Sequence, residues 1–194
     1  MEEKARLMRE DPDYRARAEQ FEAELQERVL KEREASQPVL DDLRAIGIDV
    51  PSVWDLYKFP DARPKAIPVL LRHIVRDYPD RVLEGIGQGL DDTASRAWWA
   101  DLRTILRNTQ HPVVRDRVAC ALASCAAREH YEDLLSLLRE DALGVSRIYF
   151  LRPINRIGNR ISVGEGRAVI ESVADDPVLG KEAAAILKGR GRNQ

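Results

Sequence analysis

Apolar residues recur along this chain at helical spacing. Tyr14, Ala18, Phe21, Leu25 and Val29 follow one another at intervals of four and three, which draws one narrow apolar stripe on a helix. Asp11-Pro12 suits the start of that helix, since proline is tolerated in a first turn. Pro38 marks its end or a break. Residues 39–46 predict a second, shorter helix with Leu40, Leu43 and Ile46 on one face and Gly47 placed to terminate it. Residues 48–60 carry Val50, Val53, Trp54, Leu56 and Tyr57, a pattern that suits a short helical turn and a connection.

From residue 63 onward the pattern repeats itself. Ile67, Trp99 and Tyr131 are 32 apart, and so are Leu70, Leu102 and Leu134, and Ile74, Leu106 and Leu138. A second register of the same period links Val82 with Val114, Ile86 with Val118 and Phe150, and Leu90 with Leu122 and Ile154. The fourth unit slips: Val169 and Val173 match Leu134 and Leu138 at an offset of 35, and Leu179, Ala183 and Leu187 match Val114, Val118 and Leu122 at an offset of 65. Breakers at Pro79, His111-Pro112, Gly144 and Asp176-Pro177 separate the segments. No segment alternates with period two, so strands are not expected. Two amphipathic helices per unit, at a period in the thirties, is the pattern of an α-solenoid. One hairpin cannot bury its own stripe, and each buried Leu or Val contributes about 1.5–3 kcal/mol once a neighbour covers it.

The second helix of the unit has a recognisable form. HPVVRDRVACALASCA (111–126) gives proline, then a Val-Arg pair, then an alanine-rich run. DPVLGKEAAAILKGRG (176–191) follows it without the arginine, and SRIYFLRPINRIG (146–158) keeps Arg147 in the place of Arg115. Over about residues 63–190 the chain resembles a HEAT-like repeat protein of the compact bacterial type. That resemblance implies an all-α fold: a right-handed α-solenoid of stacked antiparallel helix pairs. Residues 1–37 then form an N-terminal amphipathic extension, 38–62 a capping helix and connection, 63–190 an array of about four helix pairs, and 191–194 a tail. It implies a protein-binding scaffold or regulator, with immunity or inhibitor proteins among such bacterial folds. A few relatives of that type handle DNA.

Three glycines in LEGIGQGLDD (83–92) raise the question of a phosphate loop. Gly87 aligns with Ala119 and Gly89 with Ala121, so they fall at small-residue positions of a helix. Neither the dinucleotide fingerprint nor a P-loop is matched. Close helix packing is the reading they support, at a helix-stability cost of about 1 kcal/mol each against alanine.

The chain has 194 residues, 44% hydrophobic and 33% charged, with a formal net charge of −2. That balance gives no global attraction to nucleic acid or anionic membrane, and no apolar run approaches the roughly 18 residues of a membrane span. MEEKARLMRED at the N-terminus is charged throughout, without the apolar core of a signal peptide, so a cytoplasmic location is expected. Cys120 and Cys125 are five apart and read as small buried residues rather than a disulfide or metal pair. His73, His111 and His130 are scattered, with His111 and His130 at predicted helix starts. No nucleophile or zinc-protease motif occurs. No cofactor, metal or catalytic residue is therefore expected. Asp91-Asp92 and Asp175-Asp176 fall at junctions, where aspartate caps helices.

Two features point to a partner. Trp98, beside the core position of Trp99, packs at an inter-unit joint or stands exposed as an anchor. Residues 146–167 carry Arg147, Arg152, Arg156 and Arg160 with no acid between Gly144 and Gly164. Pro153 should kink this helix, and Arg152, Arg156 and Arg160 share one face while the helix lasts. Either adjacent units neutralise this face or it docks an acidic partner, since arginine forks suit carboxylates. Lys188, Arg190 and Arg192 extend the basic patch. Second helices line the concave side of such arrays, so the candidate partner-binding residues are Arg115, Asp116, Arg147, Arg152, Arg156, Arg160 and Trp98. The expected function is non-catalytic binding of another protein with an acidic surface. Nucleic-acid binding and assembly of a homo-oligomer through the N-terminal helix are the rivals.

Overall fold

A computed structural model describes residues 11–189, and the regular elements among them are all helical, with no strand. Helix α1 spans Pro12–Ala45. Asp11 caps it, accepting from the Tyr14 amide at 2.9 Å, and Pro12 occupies the first turn as the sequence suggests. The break expected at Pro38 does not occur: the two predicted helices are one. Pro38 is exposed, so its ring and the carbonyl it leaves unpaired face water, while Val39, Leu40 and Leu43 are buried just beyond it. Three such burials, at about 1.5–3 kcal/mol each, outweigh the roughly 3 kcal/mol of an internal proline.

A 3-10 turn, Val53–Lys58, follows and buries Val53 and Leu56. The rest of the chain consists of α2 (Arg63–His73), α3 (Asp80–Leu90), α4 (Trp99–Asn108), α5 (Pro112–Cys125), α6 (Tyr131–Leu138), α7 (Ile148–Ile161), α8 (Glu165–Ser172) and α9 (Gly180–Gly189). All of the residues in the two 32-residue registers of the first three units are buried. The first helix of the fourth unit departs from its predicted register, whereas Leu179 and Ala183 of its second helix are buried as expected. Val169 and Val173 are only half-buried, and Ile170 is the residue that reaches the core. A helix of eight residues makes little more than two turns, so a slip of one position rotates the whole face.

Packing follows chain order. α2 lies on α3, α4 on α5, α6 on α7, and α8 between α7 and α9. The second members also touch in file: α3 on α5, α5 on α7, α7 on α9. Polar contacts across these joints join residues about one unit apart. His73 meets Asp42, 31 positions away, at 2.8 Å. The Trp99 indole donates to Asp133, 34 away, at 2.8 Å. Arg107 pairs with Glu140, 33 away, at 2.5 Å, and Arg152 with Glu182, 30 away, at 2.8 Å.

The glycines of α3 lie where neighbours press closest. A β-carbon on Gly87 would stand 2.3 Å from Cβ of Arg117, so α5 could not approach α3 as it does. A second close crossing is absent from the sequence reading: Gly158 in α7 meets Gly166 in α8, backbone to backbone. Pro153 sits inside α7 without ending it.

Candidate functional site

The surface between α5 and α7 holds a groove of about 450 Å³. Its geometry follows from side-chain size. Ala123 and Ser124 on α5 are short, which leaves a trough beside Ile148, Tyr149 and Pro153 of α7. Arg152 and Arg156 line the same trough, one helical turn apart, and Glu182 of α9 closes one side. Arg152 is 73% exposed and binds Glu182 through both Nε, at 2.9 Å, and Nη2, at 2.8 Å. Arg156 reaches the carbonyl of Ala126 at 3.5 Å, at the C-terminal end of α5, where the helix dipole favours a cation. Near the N-terminal end of α5, Asp116 accepts a hydrogen bond from the Ser146 hydroxyl at 2.5 Å.

Two titratable side chains of the groove, Cys120 and Tyr149, are held in their neutral forms. Burial pushes the Cys120 thiol up to about 11, with Asp91 adding to the effect; its Sγ lies 3.7 Å from that carboxylate. Burial also raises the Tyr149 phenol, with Asp116 and Cys120 in support. A thiol so raised is a poor nucleophile. The groove thus presents two guanidiniums and a phenol hydroxyl over an apolar floor, an arrangement suited to recognising a carboxylate-bearing chain.

Several expected docking residues are placed elsewhere. Arg147 is 6% exposed and is used inside the fold. It pairs with Asp141 at 2.8 Å and Asp176 at 3.6 Å, and donates to the carbonyls of Gly144 and Leu138. It is therefore withdrawn from the docking surface: it ties the loop before α7 to the junction before α9. Arg115 is half-buried and donates to the Thr109 carbonyl at 3.1 Å, closing its own hairpin. Trp98 is half-buried with Pro68, Leu71 and Ile105 at the α2–α4 joint, on the opposite row of helices from the groove. Arg160 is exposed at the far end of α7 and does not line the groove. Lys188 is exposed on α9, whereas Arg190 and Arg192 lie outside the described residues. Arg152 and Arg156 are thus brought together, with Asp116 near one end. Tyr149 and Glu182 join them without having been singled out, the 30-residue offset from Arg152 to Glu182 being the available signal; Cys120, read from the sequence as a buried residue like Cys125, is half-buried and lines the groove.

The three histidines are apart from the groove. His130 stacks on Trp99 with ring centres 4.0 Å apart, and His111 faces Asp80 at 3.5 Å. His73 is fully buried: Nδ1 lies 2.6 Å from the Tyr78 hydroxyl and Nε2 2.8 Å from Asp42. Burial lowers its pKa despite the pull of Asp42 the other way. This cluster stitches the end of α1 to α2. Asp92 caps the turn at 93–98 and Asp176 accepts from Val178 and Leu179, as junction aspartates should. Among the described residues no three His, Cys, Asp or Glu side chains gather as metal ligands, and no helix is long and apolar enough to cross a membrane.

Comparison of the chain with protein-family models, with curated proteins and with solved structures gives no match.

Proposed function

We propose that this chain is a right-handed HEAT-like α-solenoid, cytoplasmic and bacterial in type, that binds an acidic segment of a partner protein in the groove between α5 and α7. Its mechanism is stoichiometric binding by a preformed surface. The entropy of shaping that surface is met on folding rather than on association. An inhibitor or immunity role is compatible with this mode of action. The file of second helices and the polar contacts one unit apart support the solenoid.

One observation carries the binding site: Arg152 and Arg156 stand together over an apolar floor, while Arg147 and Arg115 of the same basic character are engaged internally. Arg152 is largely exposed and Glu182 half-buried, and ion pairs open to solvent in this way contribute about 0–1 kcal/mol. A partner carboxylate can therefore take the place of Glu182 at small cost. The test is affinity capture from the native cell with the parent and with Arg152→Glu/Arg156→Glu. Loss of a captured protein in the variant, with unchanged thermal unfolding, is the expected result. An identical captured set removes the site.

A further inference from the structure

α1 is longer than the body that supports it. By helical spacing one face runs its length. Val39 and Leu43 on that face are buried, Val29 lies beside Trp54 and Arg81 at the edge of the body, and Leu25 and Phe21 follow with 37% and 61% exposure. Every side chain from 19 to 31 is exposed. At about 1.5 Å per residue the stretch 12–31 is roughly 30 Å of helix, and from Glu24 onward it faces Pro79, Asp80 and Arg81 of the body across a shallow groove.

Two properties of the bare stretch say what covers it. Tyr14, Ala18, Phe21 and Leu25 are spaced four, three, four, the spacing of core positions where two helices pair side by side. The charges beside the seam are sorted by sign along it: Arg17 precedes Ala18, while Glu22 and Glu24 follow Phe21. Among the described residues Arg17 and Glu24 make only helix-local contacts, Arg17 to the Asp13 carbonyl and Glu24 from Gln20.

We propose that this seam is covered by the same stretch of a second copy of the chain, running antiparallel about a two-fold axis between Glu19 and Gln20. In that register Ala18 of each copy meets Phe21 of the other, small against large, and Tyr14 meets Leu25. Arg17 of each copy then stands opposite Glu24 of the other, and the symmetry makes that pair twice. A parallel pair would stack Ala18 on Ala18 and Phe21 on Phe21, leaving one layer underfilled, and would set Glu24 beside Val29. A parallel pair would also set Arg17 beside Glu22, so packing rather than charge selects the antiparallel arrangement. It is independent of the α5–α7 groove, which it leaves open.

The test is the mass of the full chain in solution by light scattering during size exclusion, over a range of concentrations. The expected mass is twice the 22.0 kDa of one chain. Arg17→Glu and Glu24→Arg singly bring like charges together and weaken self-association by about tenfold or more. The double variant Arg17→Glu/Glu24→Arg exchanges the charges and restores association to within about threefold of the parent. Phe21→Glu gives a single chain whose thermal unfolding midpoint equals that of the parent diluted until it too is a single chain, because Phe21 lies off the body. A single-chain mass for the parent, failure of the double exchange to restore, or a dimer that survives Phe21→Glu would each overturn the proposal.

Discussion

Replacing Gly158 by alanine tests the crossing of α7 and α8. A β-carbon there would lie 2.7 Å from both Cα and N of Gly166, and 2.5 Å from the Tyr131 hydroxyl. Carbon atoms rest at about 3.5–4.0 Å, so the two helices have to part by roughly 1 Å. The obstacle is backbone, which cannot turn aside as the end of a side chain does. A gap of about 0.5–1 Å forfeits a quarter to a half of the dispersion attraction across it. Overpacking of this kind costs about 1–3 kcal/mol, and a backbone obstacle puts Gly158 near the upper end. Against it stands a gain of about 1 kcal/mol from replacing glycine by alanine inside a helix. The net expectation is a loss of about 2 kcal/mol, or a Tm lower by about 4–8 °C for a chain of this size. Circular dichroism at 222 nm during heating, with urea unfolding beside it, measures both quantities. Gly189→Ala serves as the control, since nothing lies within 4 Å of its added carbon, and it should leave Tm unchanged or slightly raised. A Gly158→Ala protein as stable as the parent would refute the close crossing.

Other expectations follow from single groups. Arg147→Met removes the cation that serves Asp141, Asp176 and two carbonyls, and should lower stability by about 1–3 kcal/mol in urea; an unchanged midpoint would return Arg147 to the surface. His73 is held neutral in the fold, below its ordinary value of 6.5, so the unfolded chain takes up the proton first. Its stabilising effect is complete above that value and declines as pH falls through it; Asp42, also lowered, adds a loss only at more acid pH. The urea midpoint should therefore fall between pH 7.5 and pH 5, and His73→Gln should reduce that dependence, leaving the part carried by His130, which burial lowers as well. Cys120, raised from 9.0 to about 11, should react with iodoacetamide at pH 8 about 100-fold more slowly than in the unfolded chain; equal rates would show an open, ionised thiol.

The sequence displays most of the core because a period of 32 marks the same face of successive helices. Ile86, Val118 and Phe150 are buried although their sizes differ. What stayed hidden is what depends on neighbours in space. Pro38 is a local signal of a break, overridden by burial of Val39 and Leu43 on another element. Ile170 rather than Val169 reaches the core because a short helix has no long stripe to fix its rotation. Arg147 and Arg152 look alike within one basic run, and only the position of Asp176 and Asp141 separates a buried strut from a docking residue. The pairing of Gly158 with Gly166 needs a crossing point that no spacing predicts.

The binding groove is tested most directly by placing a photo-crosslinking amino acid at Tyr149 and irradiating in the native cell, with the same group at exposed Ser136 on α6 as comparison. A discrete adduct of this chain with one other protein, formed from position 149 and missing from position 136, is the predicted result. No adduct at 149, or the same adducts from both positions, would contradict it.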